Sequence, residues 1–309
     1  MIRVVVLRAL MLLAAAAIAT PSVSAPGGER VVYTVAPNEA DPGIARFLRG
    51  SVVIFDRAAG TSPPLLLFLP GTGGNPAAPR SFLNLAADRG YRVISLAYNN
   101  EPAAMQACAR NPDPACSANF RQRRLFGDPT PSPADDQPAE AIVNRLTRLL
   151  QFLDRSHPGE AWGAYLASGA PDWTRIAVAG HSQGGGMAAF LAKRMPVARV
   201  ILLSGPADYV WPDRRPAPWL AAPGATPGER WYGLYHGGEP LAPLLQQAYA
   251  ALGVPPEHIR VVSLAAGGPA AGPFDAFHVS VVADRVTPRA ADGSPAYAAD
   301  WAFLLGSAR

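Results

Sequence analysis

Short apolar runs alternate along this chain with stretches of helical periodicity, which predicts a mostly parallel β-sheet covered by helices. Strands are expected at 31–35 and 51–55, which could pair antiparallel, and then at 65–69, 91–98, 175–179, 198–203, 231–236 and 259–264. The run at 65–69, Leu-Leu-Leu-Phe-Leu, is apolar at every position, as a central strand buried on both faces requires. Helices are expected at 81–89, 139–153, 183 to about 193, about 241–252, and 297–305. The second of these has the clearest period, with Ile142, Leu146, Leu149, Leu150 and Leu153 on one face.

Two stretches break the alternation. Residues 99–138 are polar and Pro-rich and read as an insertion above the sheet; residues 207–230 are Pro- and Trp-rich and read as a second. The chain has 33 prolines, clustered between the apolar runs, which suits stiffened surface loops better than broken helices. Arg121-Gln-Arg-Arg124 reads as a solvated loop face. Cys108 and Cys116 are expected to form one disulfide in an oxidising compartment, tying the first insertion together. Two cysteines without a nearby histidine make no zinc site.

The compartment follows from the first residues. Arg3 and Arg8 precede a short apolar stretch, and Val23-Ser24-Ala25 offers the small residues of a cleavage site. Residues 1–25 are therefore expected to be a secretory signal cleaved after Ala25, giving a secreted or periplasmic protein without stable membrane insertion. The remaining 26–309 suits a single α/β domain with insertions, and an apolar fraction of 49% supports a large core. Loss of Arg3 and Arg8 takes the formal charge from +4 to +2. With the basic residues scattered, no nucleic-acid partner is expected.

The chemistry enters at 175–187. This stretch contains Gly180-His181-Ser182-Gln183-Gly184, a G-x-S-x-G motif between an apolar strand and a helical run. Alone the motif is weak, but the strand before it and the helix after it are what a nucleophile elbow needs. The sharp turn lifts the serine hydroxyl out of the sheet, and glycines flank it because side chains there would collide. With Leu65-Leu-Leu-Phe-Leu-Pro-Gly-Thr-Gly-Gly74 and the order of strands, the chain resembles the α/β-hydrolase superfamily over most of its length, with no subfamily assigned.

That resemblance implies roles for other residues. Ser182 is the expected nucleophile. The oxyanion-hole amides are those of Gln183, after the nucleophile, and of Thr72, in the turn after the third strand, where this chain has Pro70 in place of a common histidine. In this fold the acid and then the histidine follow the serine. His157 precedes it. His181 adjoins it, and its side chain is expected to point away from the catalytic face. His236 comes before the best acid, and His258 opens a strand at the wrong end of a parallel sheet. His278, in the loop after the last strand, is the expected base. Tyr235-His-Gly-Gly-Glu-Pro-Leu-Ala-Pro243 is similar to the family's His-Gly-x-x-Asp-Pro-Leu-x-Pro turn, one residue shorter, which makes Glu239 the orienting carboxylate. Asp208 is the main rival and Asp275 a weaker one; Glu239 could instead merely cap the next helix.

The implied reaction is hydrolysis of a small-molecule or polymeric carboxylic ester through an acyl-enzyme. Neither a metal nor an organic cofactor is implied: the chain has no His-Glu-x-x-His and no dinucleotide fingerprint after its first strand. Tyr209, Trp211, Trp219 and Trp231 could line an apolar substrate surface or pack the second insertion onto the body. The same residues could serve a peptidase, an acyltransferase or a lyase, and a non-catalytic binding protein on the same fold is a further reading.

Overall fold

The computed structural model describes residues 28–60 and 63–307, so the expected signal at 1–25 lies outside the described residues. Eight strands form the main sheet: β1 (Arg30–Val35), β2 (Ser51–Asp56), β3 (Leu65–Leu69), β4 (Arg92–Ser95), β5 (Ile176–His181), β6 (Arg199–Leu203), β7 (Trp231–His236) and β8 (Ile259–Val262). Their spatial order is β1-β2-β4-β3-β5-β6-β7-β8. β1 pairs antiparallel with β2, and β2 antiparallel with β4; every other neighbouring pair is parallel. This is the mostly parallel sheet that the apolar runs predict.

Helices cover both faces, and the alternation within each strand decides which residues they meet. Leu65, Leu67 and Leu69 of β3 join Val178 of β5 in a core against α3 (Ile142–Ser156), α4 (Gln183–Arg194) and α5 (Ala242–Leu252). Leu66 and Phe68, with Ala177 and Ala179, face α1 (Arg80–Asp88) and α6 (Ala298–Leu305) across the sheet. Phe82 of α1 meets Trp301 of α6 edge to face, with ring centroids 5.7 Å apart. The helical pattern at 139–153 proves to be a one-turn 3-10 segment, Pro138–Glu140, followed by α3.

The two predicted insertions are more ordered than their composition suggests. Residues 99–138 contain a short turn of helix, Ala104–Ala107, and an 11-residue helix, α2 (Cys116–Phe126), packed against α3 and α4. The reading of 121–124 as a solvated face is overturned. Arg121 and Arg124 are 2% and 1% exposed, and each is paired with a buried carboxylate, Asp208 and Asp136 respectively. The second insertion carries a two-strand ribbon, Tyr209–Val210 with Arg215–Pro216, and the turn Pro218–Ala221. Trp219 and Trp231 are buried, Trp219 edge-on to Phe190 of α4, so these two aromatics pack the insertion onto the body. Trp211 is exposed.

Cys108 and Cys116 form a disulfide that closes the turn between Ala104–Ala107 and α2. Reduction should cost about 2–3 kcal/mol on loop-closure entropy. Since the bridge lies outside the sheet, the loss should show as faster proteolysis at 104–126, with the strands still protected from hydrogen exchange. Loss of sheet protection on reduction would contradict that reading.

Candidate active site

Reversal of strand order around β3 leaves a crevice beyond the carboxyl ends of β3 and β5, where open α/β sheets bind ligands. Both sequence motifs end there. β5 runs buried to His181, and the chain then turns sharply at Ser182, whose φ of 54° and ψ of −117° lie where non-glycine residues are rare. α4 starts at the next residue, which aims its N-terminus at the turn. The close approach explains both flanking glycines. A Cβ on Gly184 would lie 1.9 Å from the Leu69 carbonyl oxygen, and one on Gly180 would lie 2.2 Å from that of Gly184. Ser182 itself stays half-exposed.

The turn after β3 lies against this elbow: a Cβ on Gly71 would come within 3.1 Å of Ser182 Cβ and 2.8 Å of His181 Nδ1. Thr72 is exposed at its crest. Gln183, the first residue of α4, has its side chain fixed, with Oε1 accepting from the Ala104 amide at 3.0 Å. Its Nε2 is buried with no partner among the described residues. Ala104 belongs to the first insertion, so the 99–138 segment braces the elbow directly.

His278 and Glu239 are brought together although 39 positions separate them. Glu239 follows β7 and His278 lies in a single π-helical turn, Phe274–Val279, after β8. His278 Nδ1 is hydrogen-bonded to Glu239 Oε2, and both side chains are buried. Glu239 Oε1 accepts from Ser204 Oγ at 2.7 Å and from the His236 amide at 3.1 Å, which fixes the plane of the carboxylate. A carboxylate can only accept, so Nδ1 carries the proton and Nε2 presents a lone pair. His278 Nε2 is buried and has no hydrogen-bond partner among the described residues, Ser182 Oγ included.

The other acids and histidines are engaged elsewhere. Asp208 accepts from Arg121 Nε at 2.8 Å and from Trp219 Nε1 at 3.0 Å. Asp275 pairs with Arg285 and accepts from the Ala271 amide; its hydrogen bond to Arg285 holds its carboxyl below the ordinary range. His236 Nδ1 accepts from the Gly238 amide at 2.9 Å and Nε2 donates to the Leu264 carbonyl at 3.0 Å. His157 stacks on Tyr33 and His258 on Tyr232. Glu239 is therefore tied to a histidine, not spent on a helix cap.

His181 corrects the sequence reading. It does not point away: its ring lies 5.0 Å from that of His278, and its Nε2 donates to the His278 carbonyl at 2.9 Å. The cause is alternation. Ala177 and Ala179 face α1 and α6, so His181 continues on that face, against the segment that carries His278. Burial above all, and then the nearby charge of His278, lower its pKa from 6.5 to about 3, so it is neutral at ordinary pH. Ser204 and Arg121 were also missed. Ser204 directly follows β6 and carries no motif; its one clue is its place just beyond a strand's carboxyl end.

Three cavities adjoin this arrangement. One of about 30 Å³ touches Ser182 and Gln183; one of about 410 Å³ lies behind Gly71 and Thr72; one of about 120 Å³ lies on the far side of Gly73 and Gly74, toward Tyr98 and Glu101. Among the described residues, no cluster of acids, histidines and cysteines could hold a metal ion, and no helix is long and apolar enough to cross a membrane.

No protein-family model matches the chain, and no curated protein matches it. Among solved structures it is similar to a candidate dienelactone hydrolase from Klebsiella pneumoniae, at 13% identity and a TM-score of 0.42, over 90% of this chain and 98% of that one. It is also similar to esterase B from Lactobacillus rhamnosis in a crystal with a tributyrin phosphonate inhibitor, at 14% identity and a TM-score of 0.46, over 84% of this chain and 81% of that one.

Proposed function

We propose that this protein of the α/β-hydrolase fold is a secreted serine hydrolase that cleaves carboxylic esters. The observation that carries the reading is the buried pairing of Glu239 with His278, which leaves Nε2 unpartnered on a ring 5.0 Å from that of His181, the residue that leads into the strained turn at Ser182. Ser182 is the nucleophile, His278 the general base and Glu239 the orienting acid. The amides of Thr72 and Gln183 hold the oxyanion. The orphaned Nε2 suits a base whose bond to the serine closes when substrate arrives, since catalytic hydrogen bonds are often long in a free enzyme. Water activated by His278 then releases the acid. The disulfide fits an oxidising compartment.

The test is labelling of the folded protein with a fluorophosphonate and mapping of the adduct by peptide mass spectrometry. The label is expected on Ser182, absent in Ser182→Ala and weakened in His278→Ala. A folded protein that takes no label would make the elbow a structural turn and favour a binding protein on this fold.

A further inference from the structure

The space on the two sides of the elbow is very unequal, and the side on which each half of an ester must lie follows from the chemistry. We propose that the protein cleaves esters of very short acyl groups, of acetyl size, with larger apolar alcohols. The proposal rests on the serine-hydrolase reading above.

The recess touching Ser182 and Gln183 is lined also by Met105, Ser204 and Leu241 and measures about 30 Å³. That is less than a tenth of the space on the other side of Gly71, so it suits a small substituent far better than a long one. It cannot widen easily. The Arg121–Asp208 pair that lines it is buried and held by a third bond from Trp219, and the Ala104 amide anchors the adjoining wall to Gln183. The cavity on the other side of Gly71 measures about 410 Å³, within the range of small-molecule sites. Its walls are mostly apolar: Phe68, Ala78, Val279, Val282 and Ala283, with the uncharged ring of His181.

The direction of proton transfer assigns the two halves. Ser182 Oγ forms a bond to the acyl carbon and gives its proton to His278 Nε2. The carbon–oxygen bond to the alcohol then breaks, and that same proton passes to the leaving alkoxide. The alcohol must therefore lie beside His278. The chain leaving His278 builds the wall of the large cavity at Val279, Val282 and Ala283, and the His181 ring touches both. With the oxyanion on the Thr72 and Gln183 amides, the acyl substituent faces the 30 Å³ recess, the one of the three cavities that Ser182 itself lines. Water next adds to the acyl carbon, giving its proton to His278 and then to Ser182 as the short acid departs.

The test compares kcat/KM of the full chain over two ester series. Ethyl, butyl and hexyl acetates vary the alcohol at nearly constant acidity; ethyl acetate, butyrate and hexanoate vary the acyl group. The expected result is a rise of about tenfold from ethyl to hexyl acetate and a fall of about a hundredfold from ethyl acetate to ethyl hexanoate. Ala78→Trp, at an exposed position on the cavity rim, should lower the hexyl-to-ethyl ratio about tenfold, and Ala283→Leu should lower it too. Met105→Ala should raise the butyrate-to-acetate ratio. Long acyl chains preferred over acetyl, or a hexyl-to-ethyl ratio unmoved in both cavity variants, would overturn the proposal. Fluorophosphonate labelling in parallel separates the two failures: Ser182 labelled with the opposite chain-length preference overturns this inference alone, and folded protein without label overturns the hydrolase reading with it.

Discussion

Glu239→Gln should lower kcat on an accepted ester by about 10³–10⁴-fold while leaving the protein folded. The loss follows from the donors around the carboxylate. Ser204 Oγ and the His236 amide both donate to Oε1, so a glutamine would keep its carbonyl oxygen there and turn its NH₂ toward His278 Nδ1. Nδ1 would then have to accept. The ring would carry its proton on Nε2, where it cannot take one from Ser182. Asp208→Asn should behave in the opposite way. It weakens the buried pair with Arg121 and should cost about 3–5 kcal/mol of stability, since an uncompensated buried charge remains. Fluorophosphonate labelling of Ser182 should persist below the lowered melting temperature. Both variants are checked by steady-state kinetics and thermal denaturation on the same preparations. A folded Asp208→Asn without activity, beside an active Glu239→Gln, would transfer the acid's role to Asp208.

What the sequence made legible here was local. The elbow is five contiguous residues whose glycines are demanded by backbone approaches of about 2 Å, so strand, turn and helix could be read together. β3 and β7 were legible because a strand buried on both faces is apolar throughout or nearly so. Glu239 and His278 stood out through a short turn and chain order, though their pairing across 39 positions needed the fold. Reading failed where a residue's partner lies far along the chain. Arg121 and Arg124 look solvated because nothing nearby in sequence neutralises Arg121; its partner, Asp208, is 87 positions away. Without that partner the charged face of α2 has no reason to be buried, and a Pro-flanked polar segment reads as loop. His181 was misjudged for another reason. Adjacency to Ser182 does not decide where its side chain points: His181 is the last residue of β5 and obeys that strand's alternation.

That placement of His181 carries a consequence for acid stability. The ring is buried between the Gly71 turn and the segment 274–285, where it finds no free counter-charge: Glu239 is committed to His278, and Asp275 to Arg285. Its pKa falls from 6.5 to about 3 on folding, with burial the largest cause. Between these values the unfolded chain binds a proton that the folded protein refuses, so stability rises with pH across the window. The contribution is complete above pH 6.5, is lost progressively as pH falls, and saturates near pH 3. It should amount to about 2 kcal/mol lost by pH 5 and about 3 kcal/mol by pH 4. His181→Gln removes the titration yet keeps a neutral N–H donor for the His278 carbonyl. Urea denaturation at pH 7, 5 and 4 should therefore show a shallower acid decline in the variant, whatever the substitution costs at pH 7. Parallel declines would mean that His181 accepts a proton in the folded state. The same comparison bears on catalysis. A protonated His181 would place a second positive charge 5.0 Å from the ring that must become imidazolium during turnover, so burial that keeps it neutral also keeps His278 able to act as a base.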